Sequence, residues 1–509
     1  MTAEETSILQ LKTRSLKQQI VTDVGRFSLA SVVAQICVFF KGYFGAYLVG
    51  PNIWGVWHTA LLIQHYGAFA GLGVGDAMHR EIPILRGKGE VEESPKIKDT
   101  AFSYNLFAGI LTFAAIFLST FFLKVSQELL LSLRFVSIII FLNSIAGFYN
   151  VLFKANNQFK VVSRIMIIQG IPSLLTIPLI FLFSFSGFLV GQVLIALTAV
   201  GYSIVNYKER IHLKIDMSIL KKLIIIGLPI TLLGLAGYLF VTIDRLLIVN
   251  ILGFENLGFY SIASTFFTPI MLICTSVNSV MYPRLGEKFG SDRDTRDLRK
   301  YIEMPIKEIS LFAPIIIGAI CVLLPSLVNI LLPEYIDGIL AAQILIFGLF
   351  FLAVEGMAGN FFLVTNRQLL YLIILLFSCF VNFITSFAMI KLGFGISGVA
   401  LGTSLSYFIF FLITVVLAMK YCYASRIDII RLIFSILLRV SIIAAIAFLT
   451  NYINFGFSSI LEQIYGALIR IVVYLVLSSF LIYKAFNDSK VVSIVRERFK
   501  KRKRREDEF

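Results

Sequence analysis

Apolar runs recur along the whole chain and alternate with shorter segments that carry most of the charged residues. A run of about 20 apolar residues forms a helix long enough to cross a hydrocarbon core about 30 Å thick. The runs are continuous and lack the polar–apolar alternation that a transmembrane β-strand needs. The pattern therefore predicts an all-α polytopic membrane protein with about 14 transmembrane helices, at 27–49, 56–77, 100–123, 135–152, 165–184, 188–206, 223–250, 258–281, 308–332, 339–364, 369–390, 395–419, 432–452 and 464–483.

The composition of the chain is that of a membrane protein rather than a soluble one. Hydrophobic residues make up 58% of the sequence, and the mean hydropathy is +0.88. Soluble domains contain roughly 45–50% apolar residues. The five cysteines lie in or beside apolar runs without the spacing of metal ligands, so they are expected to be small buried hydrophobes. The sequence predicts no metal and no other cofactor.

The distribution of positive charge predicts the orientation in the membrane. If the N-terminus is cytoplasmic, 38 of the 45 Lys and Arg residues fall in cytoplasmic segments, three in outer loops and four within spans. The positive-inside rule then places both termini in the cytoplasm. The chain is therefore expected to be a multi-pass protein of the plasma (inner) membrane. The net charge of +15 therefore indicates anionic lipid headgroups rather than nucleic acid as the partner. The basic tail 484–509 either fixes this topology or binds such lipids.

Three landmarks occur twice in the same order and indicate an internal repeat. The first landmark is Gly50-x4-Gly55-x-Trp57, which returns 203 residues later as Gly253-x4-Gly258-x-Tyr260. The second is Ala155–Gln158, which returns after 210 residues as Thr365–Gln368. The third is Gly187-x3-Gly191, which returns after 211 residues as Gly398-x3-Gly402. Six spans separate the copies, so both copies have the same orientation and form a parallel repeat. The expected organisation has two pseudo-symmetric lobes of six helices each, the N-lobe at 27–206 and the C-lobe at 223–419. An N-terminal segment (1–26) precedes them, a linker (207–222) joins them, and a helix pair (432–483) and a tail (484–509) follow.

Lys41 and Asp244 occupy equivalent positions in the repeat, each nine residues before its glycine, Gly50 or Gly253. At 1.5 Å per residue, both would lie about 13–14 Å from the outer end of their spans, close to the midplane. Charges at this depth are costly and indicate a functional site. We expect Lys41, Asp244 and the adjacent Arg245 to line a central cavity. The alternative is that Asp244 and Arg245 pair with each other or with neighbouring helices for packing.

Glu355 is a further acidic residue deep in a span, about 13–14 Å from the inner end of 339–364. A lone buried carboxylate could exchange a proton near neutral pH, bind a cation or make a structural hydrogen bond. The sequence leaves these three roles open.

Several enzyme classes are excluded by their missing motifs. The chain contains no GxxxxGK[ST], HExxH, CxxC or GxSxG sequence. The longest outer loops hold about ten residues, which is too few for the external catalytic groups of a membrane polymerase or glycosyltransferase. The chain is therefore expected not to be an enzyme, and a transport function fits better.

Two stretches of the chain carry recognisable motifs. The more specific one is Leu48–Glu90, with Gly50, Gly55, Gly73, Arg80 and Gly87-Lys88-Gly89. The second half carries the similar series Gly227-Leu228-Pro229, Asp244-Arg245, Leu252-Gly253 and Gly258-Phe259-Tyr260. With these motifs the chain resembles the Wzx-type polysaccharide flippases of the multidrug/oligosaccharidyl-lipid/polysaccharide (MOP) exporter superfamily, and the resemblance covers residues 20–485.

This resemblance implies translocation of a polyprenyl-diphosphate-linked oligosaccharide from the cytoplasmic to the outer leaflet, for O-antigen, capsule or exopolysaccharide biosynthesis. It implies alternating access of the two lobes, coupled to a proton or Na⁺ gradient. Lys41 and Arg245, with Asp244, would contact the substrate, and Asp244 or Glu355 would couple ion movement to transport. The implied partners are this lipid-linked substrate, membrane lipids and other polysaccharide-assembly proteins.

Two alternative functions stay open from the sequence. One is a drug/cation antiporter of the same fold, like the multidrug and toxin extrusion (MATE) transporters, which would need an acidic cavity. The other is a scaffold of the polysaccharide assembly machinery that transports nothing itself. The candidate residues mix two cations with two acids, which favours the flippase.

Overall fold

Helices dominate the computed structural model, which describes residues 3–88, 91–292, 294–453, 460–489 and 493. Within these residues the chain forms α-helices and short 3₁₀ turns and contains no strand. Most of the basic tail 484–509 and the start of the N-terminal segment 1–26 lie outside the described residues. The described helices form two compact units, Met1–Leu235 and Ala236–Phe509.

The first unit contains six complete helical elements and the start of a seventh. They are α1 (Ala3–Ala68), α2 (Val74–Lys88), α3 (Ser94–Ser119), α4 (Gln127–Ala155), α5 (Phe159–Ser173), α6 (Thr176–Asn206) and α7 (Met217–Phe240). Two of these elements are pairs of helical segments, because the backbone leaves the helical conformation at Gly50 in α1 and at Ser184 in α6. Ser126 caps α4, because its hydroxyl accepts a hydrogen bond from the Leu129 amide at 3.3 Å. Aromatic side chains at the end of α4, including Phe148 and Phe153, pack in the core of this unit.

The second unit contains the remaining eight helices of the described chain. They are α8 (Ile243–Ile251), α9 (Phe254–Asp292), α10 (Arg299–Leu331), α11 (Ile339–Val364), α12 (Gln368–Lys391), α13 (Gly395–Tyr421), α14 (Arg426–Asn451) and α15 (Ile460–Asp488). Ser425 caps α14 by accepting from the Asp428 amide at 3.1 Å. Helices α14 and α15 both pack against α10.

Eleven helical stretches of the described chain are long and apolar enough to cross a membrane. The fourteen predicted spans exceed these eleven stretches by three. The first and second spans share Leu29–Gly71, but the backbone leaves the helical conformation at Gly50, so the predicted boundary between them is confirmed. The fifth runs from α5 into α6 and ends at Ser184, where α6 is interrupted before the sixth span, and the eighth lies within α9. The all-α polytopic fold is therefore confirmed, while several expected helix ends are wrong.

The wrong ends have local causes. Predicted span 56–77 stops early, because α1 ends at Ala68 and α2 begins only at Val74. Predicted span 223–250 is two helices, α7 and α8, separated at Val241 and Thr242. Residues 217–222, assigned to the linker from the sequence, belong to α7. The boundary between the two packed units also lies within α7, after Leu235.

The repeat is visible in the backbone as matching left-handed positions. Gly50 and Gly253, the two repeat glycines, have φ values of 74° and 92°. Asn157 and Asn366 both have a φ of 57° and end α4 and α11, so this landmark repeats after 209 residues rather than 210. Both turns are closed in the same way, by amide-to-carbonyl hydrogen bonds of 2.8 Å from Gln158 to Phe153 and from Arg367 to Phe362.

The small-residue landmarks mark close helix packing in each unit. In the first unit, the two segments of α6 pack against each other on either side of Ser184, and a Cβ added to Gly191 would lie 2.6 Å from Thr176. In the second unit, a Cβ added to Gly402 would lie 2.8 Å from the Ser386 amide. Small residues let membrane helices approach closely where no hydrophobic effect drives them together. The kinks that precede these contacts also match, since Ser184 has a φ of 50° and Gly395 a φ of 55°.

Candidate functional site

Lys41 lies on α1 and is hydrogen-bonded to α6 of the same unit. Its Nζ donates to Gln192 Oε1 at 3.0 Å, and both side chains are half-buried. Gln192 Nε2 is buried and has no hydrogen-bond partner among the described residues. Among the described residues, the ammonium group is thus held by one neutral acceptor rather than by a carboxylate. A cation held in this way keeps donors available for an anion.

Asp244 lies in the first turn of α8, directly after the break that separates α7 from α8. The residue is 2% exposed. Its Oδ1 accepts from the Arg245 amide at 2.8 Å, and its Oδ2 accepts from the Tyr260 hydroxyl at 2.6 Å. A carboxylate in the first turn of a helix is favoured by the helix dipole. Asp244 is therefore well satisfied at the point where the chain resumes its helix.

The Asp244 carboxylate continues into a buried polar network across three further helices of the second unit. Thr403 Oγ1 lies 3.4 Å from Asp244 Oδ2 and donates to Asn382 Oδ1 at 3.2 Å. Ser386 donates to the same Asn382 oxygen at 2.9 Å. Thr403, Asn382 and Ser386 are completely buried. Such a network is costly unless its members are satisfied, so it fixes α8, α9, α12 and α13 in one arrangement.

Arg245 has a different partner from Asp244, although the two residues are adjacent. One guanidinium nitrogen donates to Ser264 Oγ on α9 at 2.8 Å. Asp244 is buried, whereas Arg245 keeps part of its surface exposed. A guanidinium carries five N–H donors. The side-chain to side-chain hydrogen bonds of Asp244 and Arg245 therefore go to neighbouring helices, which is one form of the packing alternative.

Lys41 and Asp244 make equivalent contacts in the two units. Asp244 follows Lys41 by the 203 residues of the first landmark, and Thr403 follows Gln192 by the 211 residues of the third. The pair Lys41–Gln192 in the first unit therefore corresponds to Asp244–Thr403 in the second. The repeat has kept the place of a charged residue in each unit and inverted its sign.

Glu355 lies on α11 in a separate cluster of the second unit. The residue is 3% exposed, and its Oε2 accepts a long hydrogen bond of 3.4 Å from the Tyr371 hydroxyl. Glu355 Oε1 has no hydrogen-bond partner among the described residues, and neither does the buried Asn278 Oδ1. A Cβ added to Gly356 would clash with the Asn278 amide, so Asn278 packs directly on this turn of α11.

The four predicted residues therefore fall into separate local clusters. Lys41 belongs to the first unit, and Asp244, Arg245 and Glu355 belong to the second. Within the second unit, Asp244 and Glu355 have no partner in common among the described contacts. Among the residues that the structure describes, no group of three His, Cys, Asp or Glu residues could hold a metal ion.

Sequence reasoning missed the neutral polar partners of these charges. Gln192, Thr403 and Tyr371 lie in apolar helices and hold Lys41, Asp244 and Glu355. A signal for two of them was present, because the repeat offset relates Gln192 to Thr403. For Tyr371 the sequence offers no comparable signal.

A comparison with protein families matches half of the chain. The family model described as "Polysaccharide biosynthesis protein" covers residues 84–339. A search of curated proteins finds no match.

Solved structures of transporters share the fold. The chain is similar to the lipid II flippase MurJ in an inward closed conformation, with a TM-score of 0.65, 17% identity, and coverage of 91% of this chain and 99% of that one. An inward-facing MATE family transporter of the MOP superfamily matches with a TM-score of 0.62, 15% identity, and coverage of 80% and 98%. A MOP superfamily transporter from Pyrococcus furiosus matches with a TM-score of 0.55 and 18% identity, and the match covers 79% of this chain and 96% of that one. At these identities the likeness establishes the fold alone.

Proposed function

The chain belongs to the polysaccharide biosynthesis protein family, and we propose that it is a flippase that moves a polyprenyl-diphosphate-linked oligosaccharide from the cytoplasmic to the outer leaflet. The family match is the observation that carries this proposal, and it confirms the family expected from the sequence. A multi-pass helical fold suits a protein that moves an amphiphile across a membrane. Translocation changes no covalent bond, so no catalytic group is needed.

In this proposal, Lys41 and Arg245 bind the diphosphate of the substrate. Lys41 is held by one neutral acceptor, and Arg245 is held by one serine hydroxyl, so both cations keep donors for phosphate oxygens. Hydrogen bonds from cations to phosphate are about twice as strong as neutral ones. Both residues lie in helices, which hold their side chains in defined places.

The proposed energy source is a proton or Na⁺ gradient that acts through Asp244 or Glu355. Of the two acids, Glu355 has the open acceptor, because its Oε1 lacks a hydrogen-bond partner within the described residues. The oxygens of Asp244 accept from the Arg245 amide and from Tyr260. An open carboxylate oxygen inside a membrane protein is a place where a proton or a small cation can bind.

The test is translocation of a fluorescent polyprenyl diphosphate disaccharide in liposomes that contain the purified protein. Lys41→Ala and Arg245→Ala should each lower the transport rate by about ten- to a hundredfold, because each removes a charged hydrogen bond worth about 1.5–3 kcal/mol. Lys124→Ala is the matched control, since Lys124 is an exposed lysine in the loop between α3 and α4. Rates equal to wild type in both site variants would contradict the assigned role of these cations.

The two buried acids of the second unit favour one alternative function, a drug/cation antiporter. Asp244 and Glu355 are both buried in the second unit, and buried carboxylates attract cationic substrates. The same liposomes distinguish the two functions. Uptake of a cationic dye without translocation of the lipid would indicate an antiporter, and transport of neither substrate would indicate a scaffold.

A further inference from the structure

The first unit contains a polar cavity that neither the sequence motifs nor the family assign. Its volume is about 420 Å³, and its walls come from the end of α1, the following 3₁₀ turn, and α2, α3 and α4. Pockets for small organic molecules measure about 300–1,000 Å³. The cavity is therefore of the size that a small-molecule site requires.

Glycines create this space. Six glycines line the cavity, and two of them, Gly75 and Gly147, face open room, since a Cβ added to either would meet no atom within 4 Å. Neither residue has a positive φ, so backbone conformation does not require glycine at these two positions. The absence of side chains there keeps the cavity open.

The polar groups on the walls are mostly neutral amides and hydroxyls. Gln64, Asn105, Asn143, Thr112 and Ser144 line the cavity, together with the carboxylate of Asp76 and the imidazole of His65, and no Lys or Arg is among these lining residues. The Asn105 amide donates to the Ala101 carbonyl at 3.0 Å, which fixes the orientation of the side chain. Its Oδ1 then points towards Gly71, where an added Cβ would lie 3.2 Å away.

This chemistry suits a sugar and does not suit a diphosphate. A sugar hydroxyl is both a donor and an acceptor, and a side-chain amide offers both complements. A diphosphate needs cations, which these walls do not provide. A cationic amphiphile is best recognised by aromatic faces, whereas Phe148, the one Phe, Tyr or Trp among the lining residues, is 2% exposed.

We propose that this cavity binds the first sugar of the lipid-linked substrate, separately from the cations that bind its diphosphate. The inference rests on the proposed flippase function. In the predicted orientation, the lining residues extend from about the middle of spans 56–77, 100–123 and 135–152 towards their cytoplasmic ends. The sugar of a newly made lipid-linked substrate faces that side of the membrane before translocation.

The experiment measures binding of two probes to the full chain in nanodiscs. One probe is polyprenyl diphosphate without sugar, and the other is a panel of the same lipid carrying one neutral hexose, N-acetylhexosamine or deoxyhexose. Gly147→Leu fills the cavity, and Asn105→Ala removes a polar wall. Gly201→Leu is the matched control, because Gly201 is an exposed helical glycine of the same unit that also has open space.

For wild type we expect at least one sugar to tighten binding by about tenfold, the value of one or two hydrogen bonds. Gly147→Leu and Asn105→Ala should lose this gain and keep the wild-type affinity for the lipid without sugar, while Gly201→Leu keeps both. A sugar gain that survives both cavity variants would overturn the cavity assignment and leave the flippase proposal standing. If no sugar tightens binding, the cavity assignment is likewise overturned and the flippase proposal stands. Failure of wild type to bind either lipid would overturn both proposals.

A soluble sugar is the other source of this chemistry, and a third arm separates it. Free methyl glycosides of the same sugars should bind far more weakly than the lipid-linked forms. Equal affinity for the free and lipid-linked sugars would assign the cavity to a soluble ligand and overturn the proposal.

Discussion

Lys41 and Asp244 show how the two copies of the repeat have diverged at a single position. Each charged residue is held by a polar residue on the equivalent later helix, Gln192 in the first unit and Thr403 in the second. A charge in a membrane helix is costly, and its presence in both copies is the reason for the proposal that these residues have a role beyond packing. The second copy has an acid where the first copy has Lys41, but the adjacent residue, Arg245, is a cation. Each unit therefore presents one cation in the proposed substrate machinery.

At the residue scale, ion coupling gives a prediction for Glu355. Glu355→Gln removes the carboxylate whose Oε1 lacks a hydrogen-bond partner within the described chain, and it keeps the size of the side chain. We expect the dependence of the transport rate on the proton or Na⁺ gradient to be lost, because glutamine neither takes up a proton nor carries a charge. The rate would be measured in liposomes over a range of imposed pH and Na⁺ gradients.

The control for this experiment is Glu334→Gln, which changes an exposed carboxylate of the same unit. Asp244→Asn is measured in parallel. If Glu355→Gln and Asp244→Asn both keep the gradient dependence of wild type, neither acid couples transport to an ion.

The positions of the charged residues were predictable from the sequence, and their partners were not. A lysine, an aspartate or a glutamate in an apolar run is visible without a structure. Whether Asp244 contacts Arg245 or Tyr260 depends on the break after Phe240 and on the packing of α9 against α8. Those are tertiary features, and hydrophobic periodicity does not encode them.

At the scale of elements, α7 is fixed to α2 by two glycines in backbone contact. A Cβ added to Gly227 would overlap the Gly73 carbonyl group, and Gly73 has a φ of 70°. Lys222 and Glu81 form a salt bridge of 2.8 Å between the same two helices. This contact explains why the first part of α7 belongs to the first unit rather than to the second.

Gly227→Ala should therefore destabilise the protein, by about 1–3 kcal/mol, because the backbone of Gly73 cannot move aside as a flexible side chain would. Gly237→Ala on the same helix is the matched control, since an added Cβ there meets no atom within 4 Å. That variant should be neutral or stabilising by about 0.5–1 kcal/mol, the helix preference of alanine over glycine. Thermal unfolding in detergent measures both. Equal melting temperatures for the two variants would argue against the close approach.

The loop between α6 and α7 is attached to the start of α3 through polar contacts. Glu209 accepts from Lys98 Nζ at 2.9 Å and from the Tyr207 hydroxyl at 2.8 Å. The His212 amide donates to Asp99 at 3.1 Å. The hydrogen bond from Lys98, followed by that from Tyr207, holds the pKa of Glu209 below its usual value.

A carboxylate with a lowered pKa in the folded state stabilises the protein above its unfolded pKa of about 4.3 and loses this contribution as the pH falls through the folded pKa. Acidification from pH 6 to pH 3 should thus lower the melting temperature of wild type more than that of Glu209→Gln. The difference is expected to stay below about 1 kcal/mol, because Glu209 is largely exposed. Glu92→Gln, an exposed control, should follow wild type. The same pH response in Glu209→Gln and wild type would contradict this linkage.

Helix breaks show where element-level prediction fails. The break after Phe240 contains Val241 and Thr242, neither of which is a glycine or a proline, so the apolar run 223–250 gives no sign of it. In contrast, the turn at Gly50 is followed by Pro51 and was visible as the boundary between two spans. The polar cavity escaped sequence analysis for a related reason, because it exists only where α1, α2, α3 and α4 meet.

At the scale of the whole molecule, the repeat was the most informative feature of the sequence. Two of its three offsets, 203 and 211, agree with backbone landmarks of the structure, and the third needs a correction of one residue. The family was predicted from the resemblance of motifs, and the match over residues 84–339 confirms it. The cargo is a finer property, because related folds carry different substrates.

The most direct test of the central claim is to deplete the protein in its host and to measure polyprenyl-diphosphate oligosaccharides in the cytoplasmic leaflet. We predict that these lipids accumulate, that wild-type protein reverses the accumulation, and that Lys41→Ala or Arg245→Ala at equal abundance does not. Unchanged lipid levels, with increased sensitivity of the cells to cationic dyes, would contradict the flippase and indicate an antiporter.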